Sequence, residues 1–183
     1  MLEIDVRIND TEMYDEETST FFYETTPVRL EHSLLTVSAW EAKYKKPFLS
    51  DLEAHAKSNE ETVDYIRMML LGSYPEELFV NLITYNLKEV QSYIGDSQTA
   101  TTVNDSRKSQ ANSEMVTSEL IYYWMFSSQI PKECETWHLN RLITLIRVFA
   151  AKQTKPEKKS AAEIAARNRS LNAQRRAQMK TKG

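Results

Sequence analysis

The hydrophobic residues at the start of the chain recur at every second position. From Leu2 to Ile8, apolar residues alternate with polar ones, which is the pattern of a strand with one buried face. A turn-rich stretch at 9–12 follows, and two further short strands are expected at Thr20–Glu24 and Pro27–Glu31. The sequence therefore predicts a small antiparallel β element in residues 1–31, which is too slight to be stable without helices packed against it.

In residues 32–95, the spacing of the apolar residues changes to the three- and four-residue intervals of a helix. Ser33 is expected to cap the first helix, with Leu34, Val37 and Trp40 facing inward, and Pro47 would end it. Three more helices are predicted here: one at about 60–71, capped by Ser58 or Asn59 and ended by Gly72; a short one that begins after Ser73 and Pro75; and one from an Asn86 cap to Gly95.

Residues 96–112 are polar, with Val103 as their one large apolar residue, and predict an exposed loop. In residues 112–151, Ser113 is expected to cap a helix that is apolar all round and hence covered on most sides. Pro131 should open the next helix, with Cys134 and His138 on its inner face. This helical segment is expected to end at Lys155-Pro156.

The composition indicates one mainly α-helical body, residues 1–151, and an appended C-terminal arm, residues 152–183. Glycine is scarce, which favours helices over tight phosphate-binding turns. No signal peptide or membrane span is expected, because Met1–Asp5 is acidic and the apolar run Leu120–Phe126 is short. The single cysteine, Cys134, is typical of a reduced protein in the cytoplasm.

Charge separates the arm from the body. Residues 152–183 carry ten Lys or Arg against two Glu, a net charge of +8, so the net charge of −3 leaves −11 on residues 1–151. A capping-box pattern, Ser160-Ala-Ala-Glu163, and a run of good helix formers predict that the arm is helical. Its only large apolar residues are Ile164, Leu171 and Met179, so a helix that is marginal alone is expected.

Two interpretations of the arm are open. It is either a helix that docks on a protein partner or a solvated tail that aids solubility. A nucleic-acid role is disfavoured, because the acidic body would repel a polyanion and the arm has no aromatic residue to stack on a base.

The residues that could carry catalysis do not form a recognisable set. His32, His55 and His138 are scattered without metal-ligand spacing; His138 is expected to be structural and His32 to lie at the surface. Cys134 and His138 would share a helix face at i, i+4, but packing is the favoured role of this pair. The acidic cluster Asp15–Glu17 fits a solvated turn. No Gly-rich phosphate loop is present, so no catalytic residue, metal or cofactor is predicted.

Several motifs give a resemblance to a known family. They are Leu30-Glu-His-Ser-Leu34, Ser38-Ala-Trp-Glu41, Lys46-Pro-Phe-Leu49, Thr62-Val-Asp-Tyr-Ile-Arg67, Thr99-Ala-Thr-Thr102, Thr117-Ser-Glu-Leu-Ile-Tyr-Tyr-Trp124, Ile130-Pro131, Trp137-His-Leu-Asn-Arg-Leu142 and, in the arm, Asn168, Leu171-Asn172 and Arg175-Arg176. From about Leu30 onward, the chain resembles the tail assembly chaperones of long-tailed bacteriophages.

This resemblance implies a non-enzymatic protein of virion morphogenesis in the host cytoplasm. It would bind the tape-measure protein, and the tail tube protein is a second expected partner; a homo-oligomer is compatible with this role. Trp137 and Asn140 are expected to be structural, with Asn140 tying down a loop. The alternatives are a virion structural or connector protein and a nucleic-acid-binding accessory protein. The residues expected to contact the partner are Ile164, Arg167, Asn168, Leu171, Asn172, Arg175 and Arg176.

Overall fold

The computed structural model describes residues 1–50, 52–102, 115–153 and 161–179. The chain separates into two units, Met1–Ala151 and Lys152–Gly183. In the described residues, α-helices predominate and the only sheet has two antiparallel strands at the N-terminus. The prediction of a mainly α fold with a minor N-terminal β element is therefore confirmed.

The sheet is one long hairpin rather than a set of three short strands. Strand β1, Leu2–Asp15, pairs antiparallel with β2, Thr20–Leu30. The predicted turn at 9–12 is instead an irregularity within β1, where residues 8–11 lie opposite Glu24 alone. A bulge of this kind absorbs extra residues without ending the strand, so a turn-rich composition does not here indicate a turn.

The expected interruption between Thr20–Glu24 and Pro27–Glu31 is also absent, because both segments belong to the single strand β2. Pro27 lies inside β2, opposite Asp5. A proline is tolerated there because each strand of a two-stranded sheet is an edge strand, where a missing N–H need not break the ladder. The base of the hairpin packs on the helices through one face, which buries Ile4, Val6 and Val28. The sheet thus depends on helices, as its small size requires.

Helix α1, Leu34–Tyr44, begins where the sequence predicts but ends before the expected terminator Pro47. The Ser33 hydroxyl accepts a hydrogen bond from the Thr36 N–H, and Lys45 ends the helix in a left-handed conformation, with φ of 55°. Trp40 is fully buried, and its Nε1–H donates to the Glu61 carbonyl oxygen at 2.9 Å. Burial of such a side chain stabilises the fold by about 1.5–3 kcal/mol.

Helix α2, Asn59–Met69, has a capping box that joins Ser58 and Glu61. The Glu61 N–H donates to Ser58 Oγ at 3.1 Å, and the Ser58 N–H donates to Glu61 Oε2 at 2.9 Å. The helix ends when Leu70 becomes extended, so the expected terminator Gly72 lies beyond it. Residues 69–71 instead continue beside β2: the Glu31 N–H donates to the Met69 carbonyl oxygen at 2.9 Å.

Helix α3, Glu76–Tyr85, follows Pro75, and α4, Leu87–Gly95, begins directly after Asn86. The Asn86 side chain makes no capping hydrogen bond, contrary to the prediction. Asn86 has φ of −112° and ψ of 5° rather than the extended backbone usual for a capping side chain.

Helix α5, Ser118–Ser127, is capped by the Thr117 hydroxyl, which accepts from the Leu120 N–H. The expected cap, Ser113, lies outside the described residues, as does the greater part of the predicted 96–112 loop. The expectation that α5 is covered on most sides is wrong. Ile121 and Met125 are buried, but Tyr123 is 65% exposed and Phe126 is 58% exposed.

The segment after Pro131 forms two elements rather than one helix. Residues Lys132–Thr136 form a 3₁₀ turn, and helix α6, Leu139–Gln153, begins after Trp137 and His138. The inward face of α6 buries Leu139, Leu142 and Ile146. The predicted break at Lys155-Pro156 lies outside the described residues.

The second unit contains helix α7, Ala161–Met179. The described side chains from Ala166 to Arg176 are all exposed. Ser160, the expected cap of this helix, is outside the described residues.

Candidate partner-binding surface and buried polar cluster

Helix α7 carries the residues that the sequence predicts to contact a partner. The six whose side chains are described are exposed: Arg167, Asn168, Leu171, Asn172, Arg175 and Arg176. The side chain of the seventh, Ile164, lies outside the described part of the chain.

Helical spacing places these six residues on one side of α7. Residues four apart lie almost one above another, so Arg167, Leu171 and Arg175 form one row. Asn168, Asn172 and Arg176 form the adjacent row. Together the rows make a basic, amide-rich face with one central apolar residue, Leu171, which is 40% exposed. We call this set of six residues the basic face.

The chemistry of the basic face suits a polar, acidic partner surface. A guanidinium offers a planar fork of N–H donors that matches a carboxylate in a bidentate hydrogen bond. Asn168 and Asn172 each add an amide that both donates and accepts. Leu171 can bury its exposed part against an apolar residue of the partner. This arrangement can make polar contacts and one apolar contact with another polypeptide.

The structure brings together two histidines that the sequence separates. His32, expected at the surface, is buried, and its ring lies 5.0 Å from the buried ring of His138. The surface prediction for His32 is wrong because the residue connects two buried elements: β2 ends at Leu30 and α1 begins at Leu34. No periodic signal in such a short connection reveals its burial.

Both histidines have hydrogen-bond partners. His32 Nδ1 and the Tyr65 hydroxyl share a hydrogen bond of 2.5 Å. The Asn140 N–H donates to His138 Nδ1 at 3.3 Å, so Nδ1 is an acceptor and the ring proton lies on Nε2. His138 Nε2 then donates to the Tyr93 carbonyl oxygen at 3.0 Å. The prediction that His138 is a hydrogen-bonded structural residue agrees with these contacts.

Burial controls the charge of this cluster. Desolvation lowers the pKa of His32 to about 3, and the neighbouring His138 acts in the same direction. Desolvation also lowers the pKa of His138, although its hydrogen bond to Tyr93 and the charge of Glu31 act in the opposite direction. Both rings are therefore neutral near pH 7.

Glu31 extends the cluster toward the N-terminus. Its Oε1 accepts a hydrogen bond of 2.6 Å from the Tyr93 hydroxyl, and its Oε2 pairs with the Met1 amine at 2.5 Å. Desolvation, followed by the hydrogen bond to Glu31, raises the pKa of Tyr93 above its ordinary value. These contacts join β2, α4 and the start of β1, so the cluster is a structural junction.

Cys134 is not an activated nucleophile. Desolvation raises the pKa of its thiol, with a smaller contribution from Glu133 in the same direction, so the thiolate is disfavoured. The predicted shared helix face does not form, because Cys134 lies in the 3₁₀ turn and His138 directly precedes α6. Cys134 is buried, as expected for a small core residue.

A buried carboxylate connects α1 with two later segments. Glu41 Oε1 accepts from the Phe48 N–H and Oε2 accepts from the Ser118 N–H, each at 2.7 Å. The sequence does not identify the partners of Glu41, since Ser118 is distant along the chain. Its role is to satisfy two backbone donors, which is a structural function.

Asn140 ties α6 to the end of α4, in agreement with its predicted role. Its side-chain amide donates to the Ile94 carbonyl oxygen at 3.1 Å and to the Asp96 carbonyl oxygen at 2.7 Å. Arg141 lies over the Trp137 ring at 4.4 Å and covers that face.

The described residues contain no group of three or more His, Cys, Asp or Glu that could hold a metal ion. A cleft of about 220 Å³ lies between α2 and α3, but its charged residues, Arg67 and Glu76, are engaged with each other in two hydrogen bonds. No helix in the described ranges is both long and apolar enough to cross a bilayer.

Comparisons with known proteins gave no assignment. Family models, curated proteins and solved structures all returned no match to the chain.

Proposed function

We propose that the chain is a tail assembly chaperone of tailed bacteriophages, which binds the tape-measure protein in the host cytoplasm without catalysis. The motif resemblance from Leu30 onward suggests this role. The observation that carries the binding mode is the exposed basic face of α7, with Leu171 at the centre of its arginines and asparagines.

The proposed mechanism is reversible docking of one helix on another. Tape-measure proteins of this phage class are long and largely helical, as the resemblance implies. Leu171 would contact an apolar position of the partner helix, while Arg167 and Arg175, one turn to either side, bind carboxylates. The modest apolar area favours a weak contact that can be released when tail tube subunits assemble.

Exposed aromatic residues of α5 support the same proposal. Tyr123 and Phe126 are large and more than half exposed, so they can contact apolar surface on the tape-measure protein. A chaperone that covers aggregation-prone helices needs such surface as well as charge.

The direct test is co-expression with the tape-measure protein from the same gene cluster, followed by pull-down at two salt concentrations. We expect the unmodified chain to keep the tape-measure protein soluble. The double substitution Arg175→Glu and Arg176→Glu should reduce capture at least about tenfold, because it reverses two charges on the basic face. Arg147→Glu, on an exposed arginine of α6, is the matched control and should retain capture.

Two further measurements separate the alternatives. Mass spectrometry of purified virions should lack the chain, whereas a stoichiometric amount would identify a structural or connector protein instead. Titration with duplex DNA should show no binding at low salt. Tight, salt-sensitive DNA binding that Arg175→Glu abolishes would favour the nucleic-acid role.

A further inference from the structure

The outer part of the hairpin has a distinct composition. We define the outer hairpin as residues 9–24, all of which the structure describes. It contains no Lys or Arg, and its six carboxylates are Asp10, Glu12, Asp15, Glu16, Glu17 and Glu24. It also holds four aromatic residues, which are Tyr14, Phe21, Phe22 and Tyr23.

The aromatic residues are divided between two faces of the ribbon. Tyr14 lies opposite Phe21 in the ladder, and their ring centroids are 5.0 Å apart at an interplanar angle of 55°. Tyr14 is 52% exposed and Phe21 is 66% exposed. Met13 and Phe22 form the next pair and point to the opposite face, since successive side chains of a strand alternate.

The face of the ribbon that carries Tyr14 and Phe21 also holds an arginine, Arg7, nearer to the base of the hairpin. The Arg7 guanidinium carbon lies 3.7 Å from the Tyr23 ring centroid and 4.6 Å from that of Tyr85. The Tyr85 hydroxyl donates to Asp10 at 2.7 Å, so a carboxylate lies beside one of the two rings that Arg7 contacts. Arg7 and Tyr23 belong to the face of Tyr14 and Phe21 by strand alternation.

The exposed end of this face repeats that combination. Tyr14 and Phe21 supply two rings, and Glu12, paired with Tyr23, supplies a carboxylate on the same face. Glu16 and Glu17 lie in the adjacent turn and are exposed. Asp15 is used locally: its carboxylate accepts from the Thr18 hydroxyl at 2.7 Å and the Glu17 N–H at 3.0 Å.

We propose that the outer hairpin is a docking site for an arginine-bearing segment of another polypeptide. One guanidinium would lie over the Tyr14 and Phe21 rings, as Arg7 lies over Tyr23, and would pair with Glu12. Neighbouring cations of the same segment would pair with Glu16 and Glu17. The outer hairpin shares no residue with the basic face of α7, and the proposal does not depend on the proposed function.

The charge of the surface selects this occupant over others. The six carboxylates of the outer hairpin outnumber the charge of Arg7, which lies over Tyr23, so the surface repels nucleic acids and anionic lipid headgroups. A purely apolar partner would leave these charges in a costly environment. Arginine is favoured over lysine, because its planar guanidinium stacks on aromatic rings and is more weakly hydrated than an ammonium group.

The test uses the full chain and two synthetic probes of equal charge. One probe is a labelled, end-blocked octapeptide of alternating serine and arginine, and the other replaces each arginine with lysine. Fluorescence anisotropy should show that the arginine peptide binds about two- to fivefold more tightly than the lysine peptide. Tyr14→Ala and Phe21→Ala should each remove this preference while leaving salt-dependent binding of both peptides.

Phe22→Ala is the matched control, because Phe22 is 45% exposed on the opposite face of the same ribbon. It should keep the preference for arginine. Phe21→Leu keeps the apolar bulk but has no ring, so it should also lose the preference for arginine. This variant controls for a folding defect in Phe21→Ala. Thermal melts of all variants accompany the titrations.

Three results would overturn the proposal. One is equal affinity for the two peptides, and another is a loss of preference in Phe22→Ala as large as that in Phe21→Ala. The third is self-association of the chain, detected by sedimentation and abolished by Tyr14→Ala, which would mean that a second copy covers the ring pair.

Discussion

The imidazole rings of His32 and His138 lie edge to face, with centroids 5.0 Å apart and an interplanar angle of 68°. The two residues are far apart in the sequence: His32 lies just before α1 and His138 just before α6. A backbone hydrogen bond of 2.7 Å from the Leu139 N–H to the His32 carbonyl oxygen reinforces this contact. The pair therefore joins the N-terminal and C-terminal parts of the body at one buried point.

We predict that acid destabilises the body through His32. Its pKa is about 3 in the folded protein and 6.5 for an unperturbed histidine, so the unfolded chain binds more protons between these values. The contribution of neutral His32 to the free energy of unfolding is fully present above about pH 6.5. As the pH decreases, the free energy of unfolding falls, and at about pH 4.5 the loss is roughly 2–3 kcal/mol. Urea unfolding at a series of pH values measures this slope.

His32→Gln tests the assignment, since glutamine does not titrate. The variant should be less stable near pH 7 because the Tyr65 hydrogen bond is altered, but its stability should fall less between about pH 6.5 and 4.5. An unchanged slope would assign the acid sensitivity to other groups.

We predict that Glu41→Ala destabilises the body by about 2–4 kcal/mol. The substitution leaves the Phe48 and Ser118 N–H groups buried without an acceptor, and each such donor costs about 1–3 kcal/mol. Urea unfolding checks the loss. Glu24→Ala, on an exposed strand residue, is the control and should change stability by less than about 0.5 kcal/mol. Similar losses in both variants would contradict the role assigned to Glu41.

We predict that Asn140→Ala weakens the connection between α4 and α6 and lowers the free energy of unfolding by about 1–3 kcal/mol. The Ile94 and Asp96 carbonyl oxygens lose their side-chain donor, while most apolar packing is retained. Hydrogen exchange should accelerate in α4 more than in α2. Uniform acceleration across the body would show instead that the amide acts only on global stability.

We predict that deletion of residues 155–183 leaves the thermal melt of the body nearly unchanged and reduces capture of the tape-measure protein. The buried apolar core of the described residues runs from Ile4 to Ile146, so the deletion removes none of it. Differential scanning calorimetry and the pull-down provide the two readouts. A decrease of several degrees in melting temperature would show that the deleted segment stabilises the body.

The sequence predicts the helices of the body well where local signals are strong. Helix α1 begins after Ser33 and α2 after Ser58 because their hydroxyls accept backbone N–H groups, which is a short-range interaction. The long strands are not predicted because polar residues at 9–12 resemble a turn, although β1 accommodates them in an irregularity. Helix α5 is less covered than predicted, since apolar composition does not reveal which faces have neighbours.

The buried polar contacts could not be predicted from the sequence. His32 meets Tyr65 and His138, and Glu41 meets Ser118, across long separations that only the packed body establishes. The predicted partner residues of α7 follow from charge and spacing alone, and their exposure agrees with a contact surface without testing it.

The irregularity in β1 has a consequence for how the hairpin can vary in length. β2 crosses this point without interruption, whereas four residues of β1 lie opposite Glu24 alone. Ile8 and Asp10 are bound to Asn81 and Tyr85 of α3, so a short insertion between Thr11 and Glu12 would spare these contacts and would leave the paired residues on both sides in register.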